Sequence, residues 1–248
     1  WRLRLCPPSC LGVPRRASAV PARGGARTPS QHACASLRRD AGRRTRSRRS
    51  PPTTPTPAWR WCRSVAIAAT RAWWLLRYAG HTNVRVLNGN LAAWIDAGLP
   101  TRSDAERYPA AEFTPSPRRD LFVNTEEMTR GMHEAVCTIN ALSPALYAGT
   151  GDFYYGRRGH IPGSRSVYFA DILQNEFFLP APELKAVLEA QGMLSAPRTL
   201  IYCGGGIAAT LDGFACMLLG QENVGVYDGS MSEWAADDAL PLTLGDTP

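Results

Sequence analysis

The feature that most constrains this chain is an internal repeat. Compared with itself at an offset of 140 residues, Ile67-Ala68-Ala69-Thr70 falls on Ile207-Ala208-Ala209-Thr210. At the same offset Gly80, Asn83, Val84, Val86, Gly89 and Trp94 fall on Gly220, Asn223, Val224, Val226, Gly229 and Trp234. Self-similarity at a fixed spacing means that one structural unit is used twice. Each copy reads as a helix, a short strand (Val84–Leu87 or Val224–Tyr227), a glycine turn and a short helix whose tryptophan is expected in a core.

The second copy is preceded by more structure. A helix is expected from Leu121 to Met132 with Asn124 or Thr125 as its cap, and Ala135–Ile139 reads as a short apolar strand. Residues 163–168 turn into another strand, Pro182–Gln191 is amphipathic, and Arg198–Tyr202 is a third strand. Strands alternating with helices on short loops predict an α/β domain with a central parallel sheet flanked by helices. The expected organisation is a complete domain over 121–248, a linker over 102–120, a truncated copy over 64–101 and a tail over 1–63. With its lead-in missing, the truncated copy is expected to expose Trp73, Trp74 and Leu75 and to favour dimers.

Charge separates the tail from the rest. Residues 1–63 hold 15 Arg, no Lys and one acid, Asp40, hence +14, whereas the whole chain is +7 and the remainder therefore 7 − 14 = −7. These arginines lie among prolines without helical or strand periodicity, so the tail is expected to be disordered, or a non-native stretch read from a shifted frame. An acidic remainder argues against a nucleic-acid partner, and no apolar run is long enough for a membrane span. The seven cysteines contain no C-x-x-C pair. Cys137, Cys203 and Cys216 are too scattered for a zinc site or a disulfide scaffold, which points to a reducing, cytoplasmic setting with no metal or organic cofactor.

The chemistry sits where Leu200-Ile201-Tyr202 runs into Cys203, three glycines and a helix. Glycines let a loop curl its N–H groups inward around an anion, and the start of the helix adds unpaired N–H groups and the positive end of its dipole. A thiolate at that rim is stabilised, so Cys203 is the expected nucleophile. The amides of Gly204, Gly205, Gly206, Ile207, Ala208 and Ala209 are the expected cradle, with Gly205 the position that most needs glycine. Cys137 and Cys216 read as small core residues, His160 as an orienting residue and Asp228 as a turn residue. Two rival readings fail. Gly204-x-Gly206-x-x-Ala209 fits a dinucleotide fingerprint, but too little chain follows it, and a phosphatase loop needs arginine where Ala209 stands.

Cys203-Gly204-Gly205-Gly206-Ile207-Ala208 resembles the active-site loop of the rhodanese and mercaptopyruvate sulfurtransferase family. Gly159-His160-Ile161-Pro162-Gly163-Ser164 and Tyr227-Asp228-Gly229-Ser230-Met231-Ser232-Glu233-Trp234 resemble two further signatures, in family order. The resemblance implies a rhodanese-like fold and a persulfide on Cys203. Sulfur would come from a small anion, thiosulfate or 3-mercaptopyruvate, and go to a thiol, cyanide or a thioredoxin-like protein. The repeat resembles two-domain members in which only the second domain holds the nucleophile, and Arg63 stands at the place of Cys203 in the first copy. Departures are also present. Gly205 and Ala208 replace loop residues that often bear hydroxyl or basic groups, Asn140-Ala141-Leu142 replaces D-x-R, and Leu146 replaces a substrate-binding arginine. Backbone amides are then left to hold the persulfide, with Arg157 and Arg158 as candidates for the acid group of a substrate. The alternative is a weak or inactive rhodanese-like binding module.

Overall fold

The computed structural model describes residues 66–105 and 110–248, so the tail over 1–63 lies outside the described residues. Five parallel strands form the sheet, in the order β1-β7-β6-β2-β3. They are β1 Phe122–Val123, β2 Cys137–Asn140, β3 Arg165–Ser166, β6 Thr199–Tyr202 and β7 Val224–Tyr227, and a separate hairpin is made by β4 Leu173–Gln174 and β5 Phe177–Phe178. β2, β6 and β7 are buried at every residue, as central parallel strands covered on both faces must be.

Helices α3 (Thr125–Gly131), α4 (Pro144–Ala148), α5 (Ala181–Ala190), α6 (Ala209–Leu218) and α7 (Ser230–Trp234) accompany the sheet, which is the α/β architecture expected. Local detail differs at the start of this unit. Residues 119–121 form a 3-10 turn and Phe122–Val123 pairs with β7, so the helix begins only at Thr125, where the Asn124 side chain accepts the Glu127 N–H at 2.9 Å.

Two helices precede this unit, α1 (Ala66–Tyr78) and α2 (Asn90–Asp96). α1 packs on α6, with Thr70 and Thr210 meeting at 3.2 Å through their hydroxyls. Each of these threonines also donates to the carbonyl three residues back, Ile67 or Ile207. Contact between equivalent positions is the mark of packing about a local dyad. The helix ends correspond as well. His81 N–H bonds to the Leu76 carbonyl and Gln221 N–H to that of Cys216, with Gly80 and Gly220 both at positive φ, the geometry of a Schellman stop.

The expected exposure of Trp73 and Trp74 is overturned: they are 1% and 0% exposed. Trp73 meets Phe214 edge-on at 4.8 Å and donates to the Val84 carbonyl, while Trp74 donates to Leu121. Gly213 admits the Trp74 ring, because a Cβ there would stand 2.8 Å from it. Leu75, on the outer side of the helix, is exposed. The expected strand Val84–Leu87 does not form, since among the described residues no strand pairs with it. Trp94 is only half-buried, on a helix with no fully buried residue, whereas Trp234 is fully buried. Both indoles still bond to a carbonyl just beyond their helix, at Pro100 and Pro241. No described helix is long and apolar enough to cross a membrane.

Trp74→Ala should cost about 3–5 kcal/mol of stability in denaturant titration, the usual penalty for emptying a large aromatic site. Asp212 on α6 should do the reverse. Both its carboxylate oxygens are buried with no hydrogen-bond partner among the described residues, and burial, then nearby Asp171, pushes its pKa well up. The unfolded chain releases this proton near pH ~4 and the folded chain only at higher pH, so stability present in acid is lost as pH rises above that value. Asp212→Val should flatten this dependence and add about 1–3 kcal/mol at neutral pH.

Candidate active site

Cys203 lies at the carboxyl end of β6, the middle strand, between β7 and β2. That edge of an open α/β sheet is where ligands bind. The thiol-bearing residue is 2% exposed. After it the chain turns through Gly204, Gly205 and Gly206 into α6, which starts at Ala209. Residues Ala209–Met217 of α6 are all buried, between the sheet on one side and α1 on the other.

The loop is held from beneath by Ser230. Its hydroxyl accepts the N–H groups of Cys203 at 3.1 Å and Gly206 at 3.0 Å, and donates to the Tyr227 carbonyl at 2.7 Å. Ser230 is fully buried with φ +48°, a conformation that costs energy for a non-glycine residue. Met231 N–H donates to the Cys203 carbonyl, and both the Ser232 N–H and its hydroxyl donate to the Gly204 carbonyl. The segment Tyr227–Trp234, quoted above only as a signature, thus acts as the template for the loop. One of the expected cradle amides needs restating: that of Gly206, like that of Cys203, is taken by Ser230. The N–H groups of Gly204, Gly205, Ile207, Ala208 and Ala209 meet no acceptor among the described residues.

The glycine requirement falls elsewhere than expected. Gly206 has φ +71°, and a Cβ there would lie 2.6 Å from the Asp228 carbonyl oxygen. Gly205 has no positive φ, and the nearest atom to a Cβ would be the Ser232 hydroxyl at 3.9 Å. Gly204 faces Tyr155, whose hydroxyl would stand 2.0 Å from an added Cβ. Arg71 of α1 reaches the same loop. It donates to the Gly206 carbonyl at 3.2 Å and pairs with the Asp228 carboxylate at 2.6 Å.

The two candidate arginines differ. Arg157 donates to the carbonyls of Trp234, Ala235, Asp237 and Leu240 and is closed over the end of α7, so its guanidinium is a structural clamp rather than a free anion site. Arg158 is exposed, uses Nη1 on the carbonyls of Gly149 and Gly151, and stacks over Tyr154 at 4.5 Å. Both line a small pocket beside the loop with Leu142, Leu146, Tyr155 and Met231. His160 is fully buried, stacked on Tyr147 at 3.7 Å between ring centroids, with its nitrogens against the Tyr147 and Thr247 carbonyls. Tyr202, next to Cys203, ties this turn to β6 by accepting the Ile161 N–H and meeting Ser164 at 2.8 Å.

Burial pushes the Cys137 thiol up, and burial together with Asp212 pushes the Cys216 thiol well up. Neither favours a thiolate. Among the described residues no cluster of three His, Cys, Asp or Glu side chains is placed to hold a metal ion. Nothing local in the sequence marks Tyr155 or Arg71. Both reach the loop from segments far from it in sequence, and only the fold brings them there.

A thiol at a sheet edge, followed by a glycine loop and a buried helix, defines a class, and the comparisons agree with it. Residues 139–237 match the rhodanese-like domain family, and the chain belongs to that family. It is 32% identical over 178 residues to the 3-mercaptopyruvate sulfurtransferase of Escherichia coli strain K12, covering 71% of this chain and 63% of that protein. It is likewise 32% identical over 171 residues to the thiosulfate sulfurtransferase of Rattus norvegicus, covering 67% of this chain and 58% of that one. The chain therefore spans less than two thirds of the length of these relatives. Among solved structures, the anaerobic ergothioneine biosynthesis enzyme of Chlorobium limicola, in complex with trimethyl histidine, superposes with a TM-score of 0.67 at 27% identity, over 73% of this chain and 46% of that one.

Gly206→Ala should cost roughly 1–3 kcal/mol in a chemical denaturation series, because it forces an unfavourable φ and a backbone clash. Gly205→Ala should leave the midpoint nearly unchanged, since its Cβ enters open space.

Proposed function

We propose that this chain is a sulfurtransferase that carries a sulfane sulfur as a persulfide on Cys203. One observation supports the reading above the rest. A buried cysteine stands at the end of the middle strand, beside five backbone amides that meet no acceptor among the described residues and at the start of a buried helix. Such amides stabilise negative charge without any side-chain reorganisation.

In the first step the Cys203 thiolate attacks the outer sulfur of the donor. With thiosulfate a new S–S bond forms, the old one breaks, and sulfite leaves with the bonding pair. With 3-mercaptopyruvate the C–S bond breaks, and the thiol proton ends on the carbon of the departing enolate to give pyruvate. In both cases the outer sulfur of the persulfide holds the negative charge. An acceptor thiol, cyanide or a thioredoxin-like protein then removes it and restores the thiolate. Arg158 keeps Nε and Nη2 for the acid group of a donor, and Leu142 and Leu146 give the neighbouring pocket an apolar wall.

In this reading residues 121–248 are the catalytic domain and residues 64–101 are the remnant of a second copy without a nucleophile. The remnant serves as scaffold, and three observations support that role: the meeting of Thr70 with Thr210, the burial of Trp73 and Trp74, and the reach of Arg71 to Gly206. A second reading, an anion- or partner-binding module without turnover, draws support from the absence of side-chain hydroxyls at Gly205 and Ala208.

Incubation with thiosulfate or 3-mercaptopyruvate should leave the protein heavier by one sulfur atom, reversibly by cyanide, with peptide mapping placing it on Cys203. Cys203→Ser should lose adduct and turnover together, whereas Cys137→Ala and Cys216→Ala should keep both. An adduct on another cysteine would move the site, and none with any donor would favour the binding module.

A further inference from the structure

The loop beside Cys203 offers no side-chain hydroxyl, yet one lies above it from another element. Tyr155 belongs to the segment between α4 and the Gly159–Ser164 turn, and its phenol rests on Gly204 so closely that no Cβ could be placed there. Tyr155 is half-buried, packs edge-on against Phe153 at 4.9 Å, and its hydroxyl has no hydrogen-bond partner among the described residues. An unpaired hydroxyl in a partly desolvated site gains by finding an acceptor, and a charged acceptor most.

We propose that Tyr155 is a catalytic residue whose hydroxyl donates a hydrogen bond to the outer sulfur of the Cys203 persulfide, supplying the donor that Gly205 and Ala208 lack. The proposal rests on the sulfurtransferase reading and adds a named donor to it. In the resting protein the phenol makes no hydrogen bond to the Cys203 sulfur itself. A persulfide places a second sulfur about 2 Å beyond the first, so the charged atom moves outward from the buried thiol. Tyr155 therefore favours the loaded state over the empty one, which is the difference that stabilises an intermediate.

Two further observations fit this role. Burial, and then the nearby Cys203, push the ionisation of Tyr155 upward, which keeps its proton in place to be donated. Arg157, two residues on, is clamped by four carbonyls at the end of α7 and fixes the segment that presents the phenol. Its four hydrogen bonds thus act on the site indirectly, by position.

The test uses the full chain, loaded with inorganic polysulfide or with thiosulfate and followed by intact mass, with the persulfide lifetime measured after the donor is removed. Loss of one hydrogen bond to a charged sulfur in Tyr155→Phe should shorten that lifetime and lower the loaded fraction, about tenfold or more. Gly205→Ser, at a position with open space, should restore part of the loss when combined with Tyr155→Phe, which a merely structural role for the ring would not allow. Unchanged loading and lifetime in Tyr155→Phe overturn the proposal, as does failure of the serine to rescue a weakened variant. If polysulfide loads Cys203 but thiosulfate does not, the choice of donor fails while the comparison of Tyr155 variants still decides this proposal. If neither loads the unsubstituted chain, the sulfurtransferase reading and this proposal fall together.

Discussion

Everything near Cys203 depends on α6 being covered on every side. A helix whose residues Ala209–Met217 are all buried cannot sit on the surface of a single sheet. It needs a second layer, and α1 supplies that layer. The packing is close because Gly213 leaves room for the Trp74 ring and because Thr70 and Thr210, each donating its proton to the carbonyl three residues back, bring their hydroxyls to 3.2 Å without leaving a buried polar group unpaired. The helix that ends the glycine loop is thus fixed by a helix that precedes the sheet in the chain. Asp212 is the exception, a buried acid within an apolar helix whose carboxylate oxygens have no hydrogen-bond partner among the described residues.

The loop itself is shaped by competition for its amides. Ser230 takes the N–H groups of Cys203 and Gly206, and this choice determines which amides remain for an anion. To do so Ser230 adopts a left-handed backbone conformation, as Asn90 does at the equivalent position of the first copy. At Asn90 the side chain instead accepts the nearby Ala92 N–H. One backbone geometry therefore recurs at two positions 140 residues apart, and at Ser230 it lies against the Cys203 loop.

Much of the fold was legible in the sequence because parallel strands and their helices leave periodic apolar patterns. β2, β6, β7 and α5 fall within a residue or two of where those patterns place them. The strand expected at Val84–Leu87 failed for a tertiary reason: β pairing needs a neighbour, and among the described residues none is beside it. Trp73 and Trp74 are buried for a related reason that local pattern does not carry, since the cover for their helix is α6, far along the chain. The candidate nucleophile was readable from local chemistry, Cys203 before glycines and a helix. Its surroundings were not. That Gly206 rather than Gly205 needs positive φ follows from the position of Asp228, and that Arg157 is a clamp follows from carbonyls 77 to 83 residues away.

Charge near Cys203 is arranged at one remove. Arg71 neutralises Asp228 and holds the Gly206 carbonyl, and it also lies over the Phe122 ring at 5.2 Å. Its positive charge is thus spent behind the loop rather than offered to a ligand. Arg157 is spent in the same way at the end of α7. What remains at the loop itself is a set of backbone dipoles, which are rigid and cannot be titrated away. Backbone donors hold charge without recognising the rest of a molecule. In the sulfurtransferase reading, discrimination among donors would then fall to the groups lining the pocket beside the loop, Leu142, Leu146, Arg158 and Tyr155.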